Sequence, residues 1–221
     1  MTEKIAGRRV GVLLLVQLVG LILPFVLLLP LGRGFLTTAA PAADQIRLAV
    51  ALLFANGALT IWLSVLIVRH LRSQGGGSAI WLPTAAVIMC VLQAVDNAFI
   101  LTLLTLSERS VGAATPAEVL ATSGEAIRLI RQWTHTIAIL AIDVWIVSLY
   151  TVLHRQHAVP QLVTAFGLAT ALLHFTGIPL RSVLGLMPLA SLGMPMALGH
   201  LVLATWLILK GWRLVPPSRV G

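Results

Sequence analysis

The chain has 221 residues, of which 58% are hydrophobic and only 10% charged, with a mean hydropathy of +0.99. Soluble domains carry roughly a quarter charged residues, so this composition excludes an ordinary water-soluble fold and calls for hydrocarbon as solvent. The formal charge of +8 does not point to nucleic acid, because the basic residues stand singly or in pairs beside apolar runs, with no dense patch and no interleaved aromatics.

Apolar runs of spanning length predict an all-α polytopic bundle of about six transmembrane helices, at about 10–31, 47–68, 80–106, 130–152, 161–181 and 193–214. The first run follows Lys4, Arg8 and Arg9; at about 22 residues it exceeds the roughly 7–15 of a signal-peptide core and is expected to stay as a span. A polar, Pro- and Ala-containing loop at about 32–46 leads to the second span, which ends at Arg69, His70 and Arg72. Gly75, Gly76, Gly77 and Ser78 then form a flexible turn, with no following Lys-Ser or Lys-Thr to make a phosphate loop. Cys90, the single cysteine, lies inside the third span and leaves no intrachain disulfide and no CxxC metal motif.

The longest connection, about 107–128, carries Glu108, Arg109, Glu118, Glu125 and Arg128, and Thr115-Pro116-Ala117-Glu118 reads as the capped start of a short amphipathic surface helix. The last breaks fall from His154 to Pro160 and from Arg181 to Gly193, before a basic tail with Arg213 and Arg219. These lengths leave room for one integral membrane domain, 1–221.

With both termini in the cytoplasm, the inner segments hold nine of the fifteen basic residues, Arg69, Arg72, Arg155 and Lys210 among them. The positive-inside bias therefore predicts a multi-pass protein of the cytoplasmic membrane, N-in and C-in, with the lipid bilayer as its main partner. Trp81, Tyr150 and Trp212 fall near the inner interface and Trp133 near the outer, as an aromatic belt, while Trp62, Trp145 and Trp206 lie deeper, as packing residues. The first three spans do not resemble the last three, so an inverted-repeat transporter is not indicated.

Inside the spans, polarity is costly and therefore informative. An aspartate at the centre of a membrane helix costs about 2.5–3.5 kcal/mol on insertion scales, so Asp96 and Asp143 must face protein or water. At about 100° per residue, Cys90, Gln93, Asp96 and Asn97 share one side of the third span, and Gln132, His135, Thr136 and Asp143 one side of the fourth. The second span has a milder stripe in Asn56, Thr60 and Ser64, and the fifth aligns Gly167, Thr170, His174 and Gly177. At about 1.5 Å per residue, Asp96, His174 and His200 lie roughly 5 Å to the outer side of the midplane and His135 about 9 Å.

These residues define a candidate pocket in the outer half, lined by Asn56, Gln93, Asp96, Asn97, His135, Asp143, His174 and His200. The structural role open to each is a hydrogen bond to a neighbouring helix, and for Cys90 simple packing. If His135, His174 and His200 converge, they are candidate ligands for zinc, iron or haem, although no HExxH or CxxCH is present. Alternatively, Asp143, His135 and Asp96 form a stepped path for protons or orient a small polar substrate. Serine is scarce in the spans and GxSxG is absent, which disfavours serine hydrolysis.

The string RQWTHTIAILAIDVWIVSLY, whose histidine is His135, is followed by the basic turn HRQHAVPQLV, in which Pro160 starts the next helix. In this order the chain resembles the domain of unknown function 4386 family of bacterial six-helix membrane proteins, over about Val10 to Leu180. The resemblance implies the six-helix fold, makes His135 the position of most interest and implies no established activity. Cys90 and Gln93 stand where the family pattern has an arginine and glutamate pair, and Thr164 where glycine often follows the proline.

The expectation is a non-enzymatic membrane protein whose outer-half pocket handles a small molecule, a lipid or a proton. A metal- or haem-dependent membrane oxidoreductase or hydrolase is the alternative in a second class. A scaffold that packs against a partner membrane protein is the third.

Overall fold

The computed structural model describes residues 3–32, 34–71, 80–111, 116–185 and 194–212. Among them the chain is helical throughout: α1 (Glu3–Leu27), α2 (Phe35–Thr38), α3 (Ala43–Leu71), α4 (Trp81–Ser110), α5 (Ala117–Arg155), α6 (Gln161–Leu184) and α7 (Met194–Lys210). Five of these, α1, α3, α4, α5 and α6, are long and apolar enough to cross a membrane. The sixth apolar helix, α7, has 17 residues and reaches roughly 25 Å. The protein is a polytopic helical bundle.

The helices form a closed ring. From α3 onward each packs against the next, α1 packs on α3, and α7 returns to close on α1. Small residues permit the closure: Gly11 lies against the backbone of Ala204 and Ile208, and Gly7 against that of Gly211 and Trp212. At these points a Cβ would strike main chain, which cannot yield as a side chain can. Gly211, at φ 72°, turns the chain out of α7 while its N–H donates to the Leu207 carbonyl. Gly185, at φ 68°, ends α6 in the same left-handed way.

We call the end where α1, α4 and α6 finish the upper end. The lower half is filled by an apolar core of Leu14, Leu63, Ile67, Leu149, Leu153 and Leu203, all completely or almost completely buried. A second, smaller cluster holds the upper rim, where Phe35 of α2 and Leu31 meet Ile46, Ile100 and Leu103. The rim is pinned by hydroxyls: Ser107 and Ser110 donate to the Leu36 carbonyl, and the Ala40 N–H donates to Ser107 Oγ. The outward faces are apolar, as Val12, Val16 and Val19 of α1 and Phe54 of α3 illustrate, each at least half exposed. Such surfaces are tolerated by lipid and rarely by water.

Several expectations change here. The segment at 117–129 is not a separate surface helix, because α5 runs unbroken for 39 residues from the upper surface into the bundle. Its N-cap is Pro116, while Thr115 lies outside the described residues. Tyr150 and Trp212 are buried within the bundle rather than facing lipid as a belt, and Trp62 is 54% exposed on the lipid side rather than a packing residue. Tyr150 turns inward because Gly167 leaves room for its ring. Trp145 does pack inside, donating from Nε1 to Ser64 Oγ at 2.8 Å, whereas Trp81 and Trp133 stay exposed. The Gly75–Ser78 turn lies outside the described residues.

Candidate functional site

Between the two apolar clusters the bundle is polar, and two neighbouring cavities occupy that zone. The larger, about 930 Å³, lies towards the upper end and is walled by α4, α5, α6 and the end of α1. The smaller, about 110 Å³, is bounded by α1, α3, α4, α5 and α7. Leu21, Phe25, Leu53, Gln93 and Ile142 line both, so only side chains separate them.

One stripe of α5 builds the floor and one wall of the large cavity. Glu125, Arg128, Arg131, Gln132, His135 and Ile139 all line it and, at about 100° per residue, share one face of the helix. His135 pairs across to α4: its Nδ1 lies 3.2 Å from Asp96 Oδ2. Arg131 reaches the same carboxylate, with Nε 3.3 Å from Oδ1, as an ion pair without hydrogen-bond alignment. Asp96 is 1% exposed in its side chain, and two cationic or donor groups answer the cost of keeping a carboxylate there. Phe25 covers His135 edge-on, with ring centroids 6.2 Å apart.

Two turns further down α5, Asp143 makes the second pair. Its Oδ1 lies 2.7 Å from His174 Nδ1 on α6. Asp143 is completely buried, whereas His174 reaches the large cavity. A carboxylate accepts, so Nδ1 donates in both pairs when the aspartates are ionised. That leaves Nε2 of His135 and of His174, two histidines lining one cavity, without a partner among the described residues.

The small cavity has a different chemistry. His200 Nε2 lies 3.4 Å from Gln17 Oε1, and Gln17 Nε2 donates to Thr60 Oγ1 at 2.6 Å. Thr60 in turn donates to the Asn56 carbonyl. This neutral chain ties α7 to α1 and α3, and Asn56 and Gln93 complete its polar wall. On α4, Gln93 donates to Asn97 Oδ1 at 3.1 Å. Cys90 packs against Gly57, as a small residue filling a helix contact.

The eight sequence candidates therefore fall in the polar zone but in three groups. Asp96 and His135 form one pair and Asp143 and His174 another, both beside the large cavity; His200 and Asn56 belong to the small one; Gln93 stands between the cavities and bonds Asn97. The metal expectation for His135, His174 and His200 needs them around one point, and they are not. Among the described residues no three His, Cys, Asp or Glu side chains are grouped to hold a metal ion. The physical reason is pairing, since each histidine is held by its own partner on an adjacent helix. His154 and His157 likewise bond Thr164 and Gln161 instead of sharing a site.

Four residues of the zone were not foreseen. Arg128, Arg131 and Arg181 line the large cavity and Gln17 the small one. The helical period offered a signal for two of them: Arg128 and Arg131 lie seven and four residues before His135, on its own face of α5.

No curated protein and no solved structure matches the chain. The family model of DUF4386, a domain of unknown function, matches residues 10–211, and this helical membrane protein belongs to that family.

Proposed function

We propose that the protein is a ligand-binding protein of the cytoplasmic membrane, with six spans, both termini inside, and the large cavity opening to the outer side for a small molecule or lipid. The observation that carries this reading is the size and chemistry of that cavity. At about 930 Å³ it lies at the upper end of small-molecule pockets, which run from about 300 to 1,000 Å³. It joins apolar walls to a few polar groups whose positions are fixed across helices by an ion pair and two histidine–aspartate hydrogen bonds. A bundle serving only as a scaffold has no need to keep such a volume open.

Native mass spectrometry of protein released from lipid nanodiscs tests the reading. One bound molecule per chain is expected on the wild type and is expected to be lost from His135→Ala. Two cavity cysteines, Thr136→Cys and Ile178→Cys in a Cys90→Ser background, are expected to react with a small impermeant thiol reagent added outside. Protein that carries nothing, with both cysteines inert, supports the scaffold instead; there His135→Ala lowers only stability.

A further inference from the structure

Resting on that reading, we infer that the large cavity selects an anionic amphiphile, whose phosphate or carboxylate head sits among Arg128, Arg131 and Arg181 and whose apolar part lies against α1 and the lower wall. The argument is one of charge already spoken for. The cavity is lined by two carboxylates, Glu125 and Asp96, and both are engaged: Glu125 by Arg128 at 3.6 Å, Asp96 by Arg131 and His135. Asp143, behind the wall, is held by His174. A cationic ligand therefore meets no carboxylate without a basic neighbour among the described residues of the cavity.

An anion meets the opposite situation. Arg181, on α6, lines the cavity and has no acidic partner among the described residues. Arg131 spends Nε on Asp96, which leaves its two Nη groups without a partner among the described residues. A guanidinium presents paired N–H donors that match phosphate and carboxylate oxygens, and two of them on facing helices fix a head group in position.

The rest of the lining says what is attached to that head. Leu21, Phe25, Leu28, Leu129, Ile139 and Ile178 line the same cavity as the arginines. Below them the small cavity continues behind Phe25 and Gln93, with polar groups that carry no acidic or guanidinium charge, Gln17 bonded to Thr60 and Gln93 to Asn97. A free inorganic anion would leave those apolar walls in contact with water, whereas an alkyl or isoprenoid-like chain covers them. The volume suits a single-chain amphiphile, or the head and first carbons of a larger lipid.

The test uses full-length protein in a neutral maltoside detergent, with thermal unfolding and native mass spectrometry as readouts. Dodecyl phosphate is expected to bind saturably and raise the melting temperature, with inorganic phosphate at least tenfold weaker. Arg181→Gln, at an exposed position without an acidic partner among the described residues, is expected to weaken dodecyl phosphate at least tenfold and to leave the ligand-free melting temperature unchanged. Arg131→Gln is expected to act in the same direction, with some loss of stability because Asp96 then keeps only His135. Nanodiscs separate the sources: stabilisation by phosphatidylglycerol over phosphatidylcholine, lost in Arg181→Gln, identifies a membrane lipid, and its absence beside dodecyl phosphate binding identifies a free amphiphile.

Dodecyltrimethylammonium binding as tightly as dodecyl phosphate, or wild-type affinity in both arginine variants, overturns the inference. Saturable binding of a neutral amphiphile that His135→Ala abolishes and Arg181→Gln leaves intact refutes the charge selection alone, with the cavity reading still standing. No saturable binding of any probe, together with unreactive cavity cysteines, removes both.

Discussion

The pair Asp143 and His174 shows how a single residue's cost is met in this bundle. Asp143 is fully buried and bonds His174 at 2.7 Å, so removing His174 strands a carboxyl group in the interior, whereas removing Asp143 leaves the His174 ring unpaired beside the large cavity. His174→Leu is expected to cost about 3–5 kcal/mol, and Asp143→Leu, which leaves one imidazole donor unpaired, about 1–3 kcal/mol. The double variant is expected to cost less than the sum by at least about 1 kcal/mol, because it leaves neither group unpaired. A double-mutant cycle of unfolding in mixed micelles measures this, and strict additivity means that the two residues are not an energetic unit. Arg47 makes the contrast: it reaches both Asp44 and Glu108, but its side chain is 54% exposed, where solvent leaves such pairs worth about 0–1 kcal/mol. The sequence made Asp96, Asp143, His135 and His174 legible because membrane depth penalises ionisable groups. Which histidine holds which aspartate was not legible, since that depends on the rotation of α5 between α4 and α6. Gln17 was hidden for a related reason, as one amide in a run of leucine and valine barely alters the hydropathy of α1.

At the scale of the element, α5 carries most of the site and departs most from expectation. Its 39 residues span roughly 58 Å against about 30 Å of hydrocarbon, so its first turns stand clear of the membrane core. Glu118, Glu125 and Arg128 lower the hydropathy there and read as a connection with its own short surface helix, although no proline interrupts 117–155. Hydropathy reports the solvent of a segment, whereas helix continuity depends on breakers, and here the two diverge. The same divergence put Arg128 in a connection and Arg131 at the very start of the fourth span, and both outside the candidate pocket. The protruding part is held by Gly124, which receives the ring of Phe35 from α2. Gly124→Leu is therefore expected to undock α2, raising hydrogen exchange in residues 34–42 at least about tenfold, or 1.4 kcal/mol of local opening. The lower core is expected to keep its protection. Unchanged exchange at 34–42 means that the rim is held by the Ser107 and Ser110 bonds alone.

For the whole molecule, the ring order of helices follows the chain order, as short connections between consecutive antiparallel helices favour. Six basic residues sit at the expected outer end, a number that weakens a positive-inside bias of nine against six. Three of them, Arg128, Arg131 and Arg181, line the large cavity, and Arg47 is tied to Asp44 and Glu108. Arg47, Arg128 and Arg131 each stand beside an acidic partner at that end, whereas Arg181 has none among the described residues. The apolar core closes the lower half, which favours a cavity entered from one side over a pore through the bundle. Single cysteines at Thr37, Thr122 and His157, in a Cys90→Ser background and sealed right-side-out vesicles, test this arrangement. An impermeant maleimide is expected to label the first two from outside and His157→Cys only after permeabilisation. The reverse pattern turns the arginine cavity toward the cytoplasm while keeping the ring. Labelling of all three from one side breaks the alternation of crossings, and with it the claim that hydrocarbon surrounds the apolar outward faces of these helices.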